Sequence, residues 1–218
     1  MKIVNHEVSR GIKEKIAGKS KAGRPSMSDG NKRDAITDAA IALFAAKGFD
    51  NTTVDDIALQ AGVAKGTVYY HFASKDQLLL ELLDGGFQTL AARLEGLTEA
   101  ESSIEKRLEG IVHEHCNFIL DHADLCQVTL AEVVGNSNRR QLLEERLQKH
   151  VEFMGQILDA SQEYISAQSL ELYNISIFGA VSVAMVHFIK HHQVSDWPGL
   201  VDELSGLLVQ GIPSLLGK

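Results

Sequence analysis

Residues 54–72 read VDDIALQAGVAKGTVYYHF, and this stretch predicts how the N-terminal part of the chain folds. Two short helices are expected to meet at Gly62, because glycine tolerates a left-handed turn that a side chain would strain. Ala58 is small where the second helix is expected to cross the first closely. Five further side chains supply the shared core: Ile57, Ala61, Val63, Val68 and Phe72. The spacing is that of a helix-turn-helix, and an ordinary corner between two helices is the alternative.

The second short helix has an outer face that its core residues leave to solvent or to a ligand. With Val68 and Phe72 turned inward, this face carries Lys65, Gly66, Thr67, Tyr69, Tyr70 and His71. Hydroxyl groups, one lysine and a glycine that permits close approach suit a groove lined with phosphates. Two adjacent exposed tyrosines are unusual for a surface that meets only water. The face therefore predicts contact with duplex DNA.

The sequence on either side of this motif has the helical period. Gly48 closes the helix before the motif, and Thr53 and Ser74 are expected to cap later ones, with Gln77 at the capping-box position of the latter. The helices after the first two are expected over residues 64–70, 74–97, 104–122, 124–134, 142–158, 169–192 and 199–216. No segment alternates as a strand does, so the sequence predicts an all-α fold of about nine helices.

The chain has 218 residues, 44% of them hydrophobic and 23% charged. This composition excludes a fully disordered, a collagen-like and a disulfide-stabilised chain. Residues 1–80 carry 12 basic and 9 acidic side chains, whereas residues 81–218 carry 9 basic and 20 acidic ones. A basic N-terminal part is typical of nucleic-acid binding. Cys116 and Cys126 form no CxxC motif and are expected to be reduced thiols of a cytoplasmic protein.

Three segments are predicted from these patterns. Residues 1–30 are basic and rich in small side chains, and we expect a flexible arm without a secretory signal. Arg24 in this arm either enters a minor groove or adds only non-specific attraction to DNA. Residues 31–75 are the predicted helix-turn-helix domain, and residues 76–218 are a helical C-terminal domain for ligand binding and dimerisation.

Residues 172–189 contain 18 residues without a charge, which is close to transmembrane length. Polar side chains interrupt the run: Asn174, Ser176, Ser182 and His187. We therefore expect this helix to lie between the domain core and a partner subunit, with no membrane involved. The last helix adds a second apolar stripe of Leu200, Leu204, Leu207, Leu208 and Ile212. Two such helices from each subunit would form the four-helix interface of a homodimer.

The sequence resembles a TetR-type transcriptional regulator in three places. They are residues 36–49 as the first helix, residues 52–54 at the start of the second, and residues 62–75 from the turn into the fourth. The resemblance implies a homodimer that binds double-stranded operator DNA through its first three helices. It also implies release of the DNA when a small-molecule effector enters the C-terminal domain. By matching position it implies eight DNA contacts: Thr53, Lys65, Gly66, Thr67, Tyr69, Tyr70, His71 and Lys75.

Several C-terminal helices carry apolar and polar side chains on the same face, and such faces suggest the walls of an effector pocket. The candidates are His115, Phe118, His122, Phe153, Met154, Tyr173, Phe178 and Met185. Apolar walls with a few polar groups are the usual design of a small-molecule site, and ordinary core packing is the alternative for each residue. A fatty-acyl, an aromatic and a drug-like effector all fit this pattern.

The histidines raise the question of a metal. His187 and His191 are four residues apart on one helix and could bind zinc, and His113, His115 and His122 share another helix. No HExxH, no GxSxG and no phosphate-binding glycine loop occurs, so no metal, no cofactor and no enzyme activity is expected. The alternatives left open are a metal-sensing regulator, a constitutive DNA-binding protein, a helical metal-dependent hydrolase and a helical adaptor.

Overall fold

The computed structural model describes residues 28–97, 103–134, 139–159, 167–192 and 194–210. Within these residues the chain is all-α, as the sequence predicted, and it forms nine helices. They are α1 (Asp29–Lys47), α2 (Val54–Ala61), α3 (Lys65–His71), α4 (Lys75–Glu95), α5 (Ile104–Asp121), α6 (Ala123–Val134), α7 (Arg140–Asp159), α8 (Ala167–His191) and α9 (Trp197–Val209). Most of the predicted arm, with Arg24, and the end of the last apolar stripe, at Ile212, lie outside the described residues.

Capping side chains fix the ends of the N-terminal helices. Thr53 and Asp56 form a complete capping box at the start of α2. The Ser74 side chain accepts a hydrogen bond from the Gln77 N–H, as predicted, but the Gln77 side chain accepts from the Ala73 N–H instead of closing the box on Ser74.

Capping side chains explain why α1 and α9 begin earlier than the sequence predicted. α1 begins at Asp29 because the Ser28 side chain caps it, seven residues before the apolar period starts at Ile36. α9 begins at Trp197 because Asp196 caps the Gly199 N–H, and proline is well suited to a first helical turn. Neither first turn shows the apolar repeat of the rest of its helix, so a pattern of apolar residues locates such helices too late.

One continuous core joins the N-terminal and C-terminal helices. α1 packs against α2, α3 and α4, and it also contacts α6 of the C-terminal part. α5 is central in that part, where α4, α6, α7, α8 and α9 surround it. α4 therefore belongs to both halves, and α6 is a second connection between them.

Candidate DNA-binding surface and effector cavity

The turn between α2 and α3 has the geometry that the sequence predicted. Gly62 has a φ of 69°, in the left-handed region, and the Val63 N–H donates to the Ala58 carbonyl at 3.0 Å. Ala58 is buried where the two helices meet, and Val68 anchors α3 on the core. Ala61 and Val63, which were expected in this core, are half-buried and pack at its margin. This turn holds the outer face of α3 toward solvent.

The eight predicted DNA contacts separate into two groups by exposure. Tyr70 is 74% exposed and Tyr69 is 49% exposed. The exposed group is Thr53, Lys65, Gly66, Tyr69 and Tyr70, and the half-buried group is Thr67, His71 and Lys75. A Cβ added at Gly66 would meet nothing within 4 Å, so a ligand can approach the backbone there. We call this exposed group, which consists of four residues of α3 and the N-cap residue of α2, the α3 face.

Two members of the α3 face have partners within the domain. The Lys65 ammonium donates to the Asp55 carboxylate at 2.9 Å, and this hydrogen bond raises the pKa of Lys65. The Thr53 hydroxyl donates to the Asp56 carboxylate at 2.8 Å while it caps α2. Lys65 can exchange an exposed carboxylate for a phosphate, whereas Thr53 is held by its capping role.

Lys75 is turned into the protein, in contrast to the phosphate contact that its sequence position implied. Its ammonium donates to the carbonyls of Phe49 and Thr52, each at 2.7 Å, and lies 4.2 Å from the centre of the Phe49 ring. Burial lowers the pKa of Lys75. Two of the three donors of this lysine thus hold the start of α4 against the turn between α1 and α2.

His71 is also less accessible than the sequence analysis expected. Its ring lies between Tyr70, at 5.0 Å between ring centroids, and Phe72, at 6.3 Å. The Nε2 atom is buried without a hydrogen-bond partner. The end of α3 therefore offers Tyr70 to a ligand more readily than it offers His71.

A small cavity lies among α4, α5, α6 and α8. Of the eight predicted effector residues, His115, Phe118 and Phe178 line it. Nine further residues complete the wall: Leu83, Gly86, Phe87, Leu90, Ile119, Leu125, Cys126, Thr129 and Ser182. Its volume is about 30 Å³, which is room for about one water molecule. A larger ligand must separate the helices.

The remaining predicted effector residues lie elsewhere. Met154 and Met185 are fully buried in the core, and Phe153 is half-buried against it. His122 packs on Phe118 with 4.6 Å between ring centroids. The Tyr173 hydroxyl donates to the Leu208 carbonyl at 3.0 Å, and burial raises its pKa to about 12. Tyr173 thus joins α8 to α9.

Sequence reasoning missed the glycine that brings two walls of the cavity together. A Cβ at Gly86 would lie 2.6 Å from the Leu125 Cδ2 atom, so α6 approaches α4 closely at this point. The signal was present, because Gly85 and Gly86 are adjacent within a helical pattern and glycine there needs a packing reason.

Two buried histidines form a neutral pair next to the cavity. The Nε2 atoms of His115 and His150 are 3.2 Å apart, and the His115 Nδ1 lies 2.8 Å from the Ile111 carbonyl. His115 must therefore donate from Nδ1, which leaves its Nε2 to accept a hydrogen bond from His150. Burial lowers the pKa of His115 to about 4 and that of His150 to about 3.

This pair makes the stability of the protein depend on pH. Below the ordinary histidine pKa of 6.5 the unfolded chain takes up protons that the folded chain refuses, so the free energy of unfolding falls as the pH falls toward 4. At pH 5 we expect a loss of about 2 kcal/mol for each histidine relative to pH 7.5. Urea unfolding of the parent and of the double variant His115→Gln/His150→Gln at both pH values measures it. Equal losses in the two proteins would contradict the assignment.

The described residues contain no group of three His, Cys, Asp or Glu side chains placed to hold a metal ion. The His187 Nε2 lies 3.2 Å from the His192 Nε2, and His113 pairs with Asp202 at 3.4 Å. The thiols of Cys116 and Cys126 are buried, and burial raises the pKa of each to about 12. These groups thus add no support to the alternative of a metal sensor.

The long apolar helix α8 has one buried and one exposed face. Glu171–His191 is long and apolar enough to cross a membrane by length and composition, with 21 residues and a mean hydropathy of 1.7. Ile177, Val181 and Met185 are buried in the core, whereas Leu172 is 66% and Val183 is 59% exposed. This is the two-sided pattern expected of a helix between a core and a partner subunit.

The capped turn at Gly62, the anchored α3 and its exposed polar face define a helix-turn-helix DNA-binding protein with a helical C-terminal part. The sequence model described as "Bacterial regulatory proteins, tetR family" matches residues 36–82. These residues, which include the turn at Gly62 and α3, therefore match the TetR family of bacterial regulatory proteins, as the sequence indicated.

Two relatives and one solved structure show what kinds of protein the chain is similar to. The chain is 28% identical to the fatty acid metabolism regulator protein of Bacillus subtilis, over 81% of this chain and 93% of that protein. It is 35% identical to the repressor KstR2 of Mycobacterium tuberculosis, over 41% of this chain and 49% of the repressor. The crystal structure of FadR from Bacillus subtilis with stearoyl-CoA superposes with a TM-score of 0.69 at 26% identity, covering 82% of this chain and 98% of that one.

Proposed function

We propose that the chain is a transcriptional repressor that binds a palindromic operator as a homodimer and releases it when a long-chain acyl ligand enters the C-terminal domain. The observation that carries the DNA-binding part is the α3 face, held outward by the left-handed turn at Gly62. The proposal assigns no catalytic activity and places the protein in the cytoplasm, where its operator is.

The α3 face supplies the DNA contacts in this proposal. Tyr69, Tyr70 and Gly66 approach base edges, and Lys65 exchanges Asp55 for a phosphate. The division into a DNA-binding domain at residues 31–75 and a C-terminal domain at residues 76–218 follows this role. α4 is the helix that belongs to both, because it packs against α1 as well as against α5, α6 and α7.

The exposed face of α8 supplies the dimer interface, together with α9. Leu172, Ile175 and Val183 are exposed on α8, and Leu207 is exposed on α9. Large apolar side chains grouped on one surface indicate a protein interface. A two-fold dimer presents two α3 faces, which is why the operator is expected to be palindromic.

The small cavity supports both the place where the effector is proposed to bind and the movement that it is proposed to cause. It lies between α4 and α6, and the Gln127 side chain of α6 donates to the Ala45 carbonyl of α1 at 3.1 Å. An acyl chain cannot fit into about 30 Å³ and must push α6 away from α4. Because both helices touch α1, this movement shifts the DNA-binding domain. The ligand class follows from the relatives named for fatty acid metabolism.

Stearoyl-CoA is expected to weaken operator binding, and the operator is expected to weaken stearoyl-CoA binding by the same factor. The coupling should lie in the range of about 5- to 150-fold that is typical of allosteric proteins. Titration of stearoyl-CoA into the protein with and without operator duplex measures it, and free coenzyme A is the control without an acyl chain. Equal affinities for stearoyl-CoA in the two titrations would exclude it as an effector.

A constitutive DNA-binding protein is the second candidate, and the size of the cavity favours it. The walls are close-packed side chains, and space of about 30 Å³ is compatible with a core that takes no ligand. This candidate predicts no binding of stearoyl-CoA and an operator affinity that acyl compounds leave unchanged. The titration above therefore separates the two.

A further inference from the structure

Arg139, directly before α7, connects three parts of the molecule that are far apart in the sequence. Its guanidinium lies 2.9 Å from the Glu132 carboxylate, 3.2 Å from Asp50 and 3.7 Å from Asp76. Its Cζ atom is 3.9 Å from the centre of the Phe49 ring. We call this group of five residues the Arg139 cluster.

The cluster joins the cavity to the DNA-binding domain. Phe49 and Asp50 form the turn between α1 and α2, and Asp76 is in the first turn of α4. Glu132 is on α6, the helix from which Leu125 and Thr129 line the cavity. These three α6 residues recur at four- and three-residue steps and so lie on one side of the helix. A shift of the cavity wall therefore moves the carboxylate that holds Arg139.

Burial decides which ion pair of Arg139 contributes most to holding the elements together. The side chains of Arg139 and Glu132 are 14% and 11% exposed, whereas those of Asp50 and Asp76 are 81% and 54% exposed. Exposed ion pairs contribute little, but removal of one partner of a buried pair leaves an uncompensated charge. The guanidinium is planar and rigid, so it can lie over Phe49 while two of its nitrogens point to the Glu132 carboxylate, and a lysine ammonium does not reproduce this geometry.

Lys75 completes the arrangement on the same aromatic ring. Its ammonium lies 4.2 Å from the Phe49 ring centre and is held by the backbone of the same turn. The Phe49 ring thus has two cations within about 4 Å, one from α4 and one from the start of α7. The turn is fixed to both elements at once, and its orientation follows theirs.

We propose that Arg139 is a positioning residue for DNA recognition, which fixes the turn between α1 and α2 relative to α6 and so links the cavity to the orientation of the DNA-binding domain. Arg139 itself does not contact DNA in this proposal. The effect of Arg139 on operator affinity does not depend on any effector. Only its effect on the release of the operator rests on the acyl ligand of the proposed function.

The first test measures DNA binding without any effector. Arg139→Gln and Arg139→Lys are each expected to weaken operator binding about tenfold, a change within the range known for coupling residues. The affinity for a duplex that lacks the operator is expected to change less than twofold, because one DNA-binding domain of the dimer is enough for non-specific binding. Fluorescence anisotropy with both duplexes measures the ratio.

A matched control distinguishes positioning from charge and from general destabilisation. Arg146 is on α7 and pairs with Asp84 of α4 at 2.6 Å, and its side chain is 22% exposed. Arg146→Gln is expected to lower the melting temperature about as much as Arg139→Gln while the ratio of operator to non-specific affinity stays at the parent value. Parent-like operator binding by Arg139→Lys would mean that the side chain contributes charge alone, and it would overturn the proposal.

The second test adds stearoyl-CoA to the parent and to Arg139→Gln. The factor by which stearoyl-CoA weakens operator binding is expected to fall from its parent value toward one in the variant. An unchanged factor in a responsive protein would overturn the link between cavity and operator. If the parent itself does not respond to stearoyl-CoA, the proposed effector fails, while the effector-free test still decides whether Arg139 positions the DNA-binding domain.

Discussion

Val183→Glu is expected to dissociate the homodimer and to weaken operator binding by about 100-fold or more. Val183 is 59% exposed on the outer face of α8, beside a surface that also carries Leu172 and Ile175. A carboxylate there must lose its water when the interface forms, and two-fold symmetry brings a second carboxylate close to it. A monomer retains one α3 face and loses the gain from binding two half-sites together, which is worth about 10²–10⁴ in affinity.

Light scattering and operator titration of the same samples test this result. Gln88→Glu is the control, because it adds the same charge at an exposed position of α4. The control is expected to remain dimeric with the operator affinity of the parent. A Val183→Glu protein that is still a dimer at micromolar concentration would show that α8 does not form the interface.

Lys65→Ala and Tyr69→Ala are each expected to weaken operator binding by about 1–3 kcal/mol without changing the fold. Both side chains are exposed, and neither supplies a buried contact to the core of the domain. The two variants should differ in salt dependence. Loss of a phosphate contact at Lys65 lowers the slope of log K against log salt by about one, whereas loss of Tyr69 leaves the slope unchanged.

Binding isotherms at several salt concentrations separate these contributions. Lys106→Ala is the control for the lysine, because Lys106 is exposed on α5 in the C-terminal part. Its operator affinity should stay close to that of the parent. Unchanged operator binding by both Lys65→Ala and Tyr69→Ala would remove α3 as the recognition helix.

The sequence predicted the DNA-binding domain well because its structure is specified locally. The left-handed turn needs Gly62, and the ends of the helices need the capping side chains of Thr53 and Ser74. Each of these signals involves residues within four positions of one another. The direction of α3 follows from them, and so does the exposure of Tyr69 and Tyr70.

The sequence could not predict features that depend on tertiary contacts. Lys75 was expected at a phosphate, but the carbonyls of Phe49 and Thr52 come from a turn more than twenty residues earlier and hold its ammonium. Arg139 has a partner 89 residues away in Asp50. No local pattern marks such a residue, because its role exists only once α6, α7 and the α1–α2 turn have met.

The effector residues show the same limit within the core. Apolar side chains at helical spacing have the same pattern whether they line a cavity or fill a core. Met154 and Met185 fill the core, whereas His115, Phe118 and Phe178 surround the small cavity. Gly86 also lies in the wall of this cavity, and the absence of a side chain there lets α6 approach α4.

Selection of binding sites from a library of random duplexes tests the central claim most directly. The duplexes that the protein retains at moderate salt are sequenced. They are expected to share one palindromic motif whose half-sites are centred about one helical turn, or a multiple of it, apart. Lys65→Ala and Tyr69→Ala should reduce that enrichment. Retention of duplexes without a shared motif, or of a motif without two-fold symmetry, would contradict a dimeric regulator that reads its operator through α3.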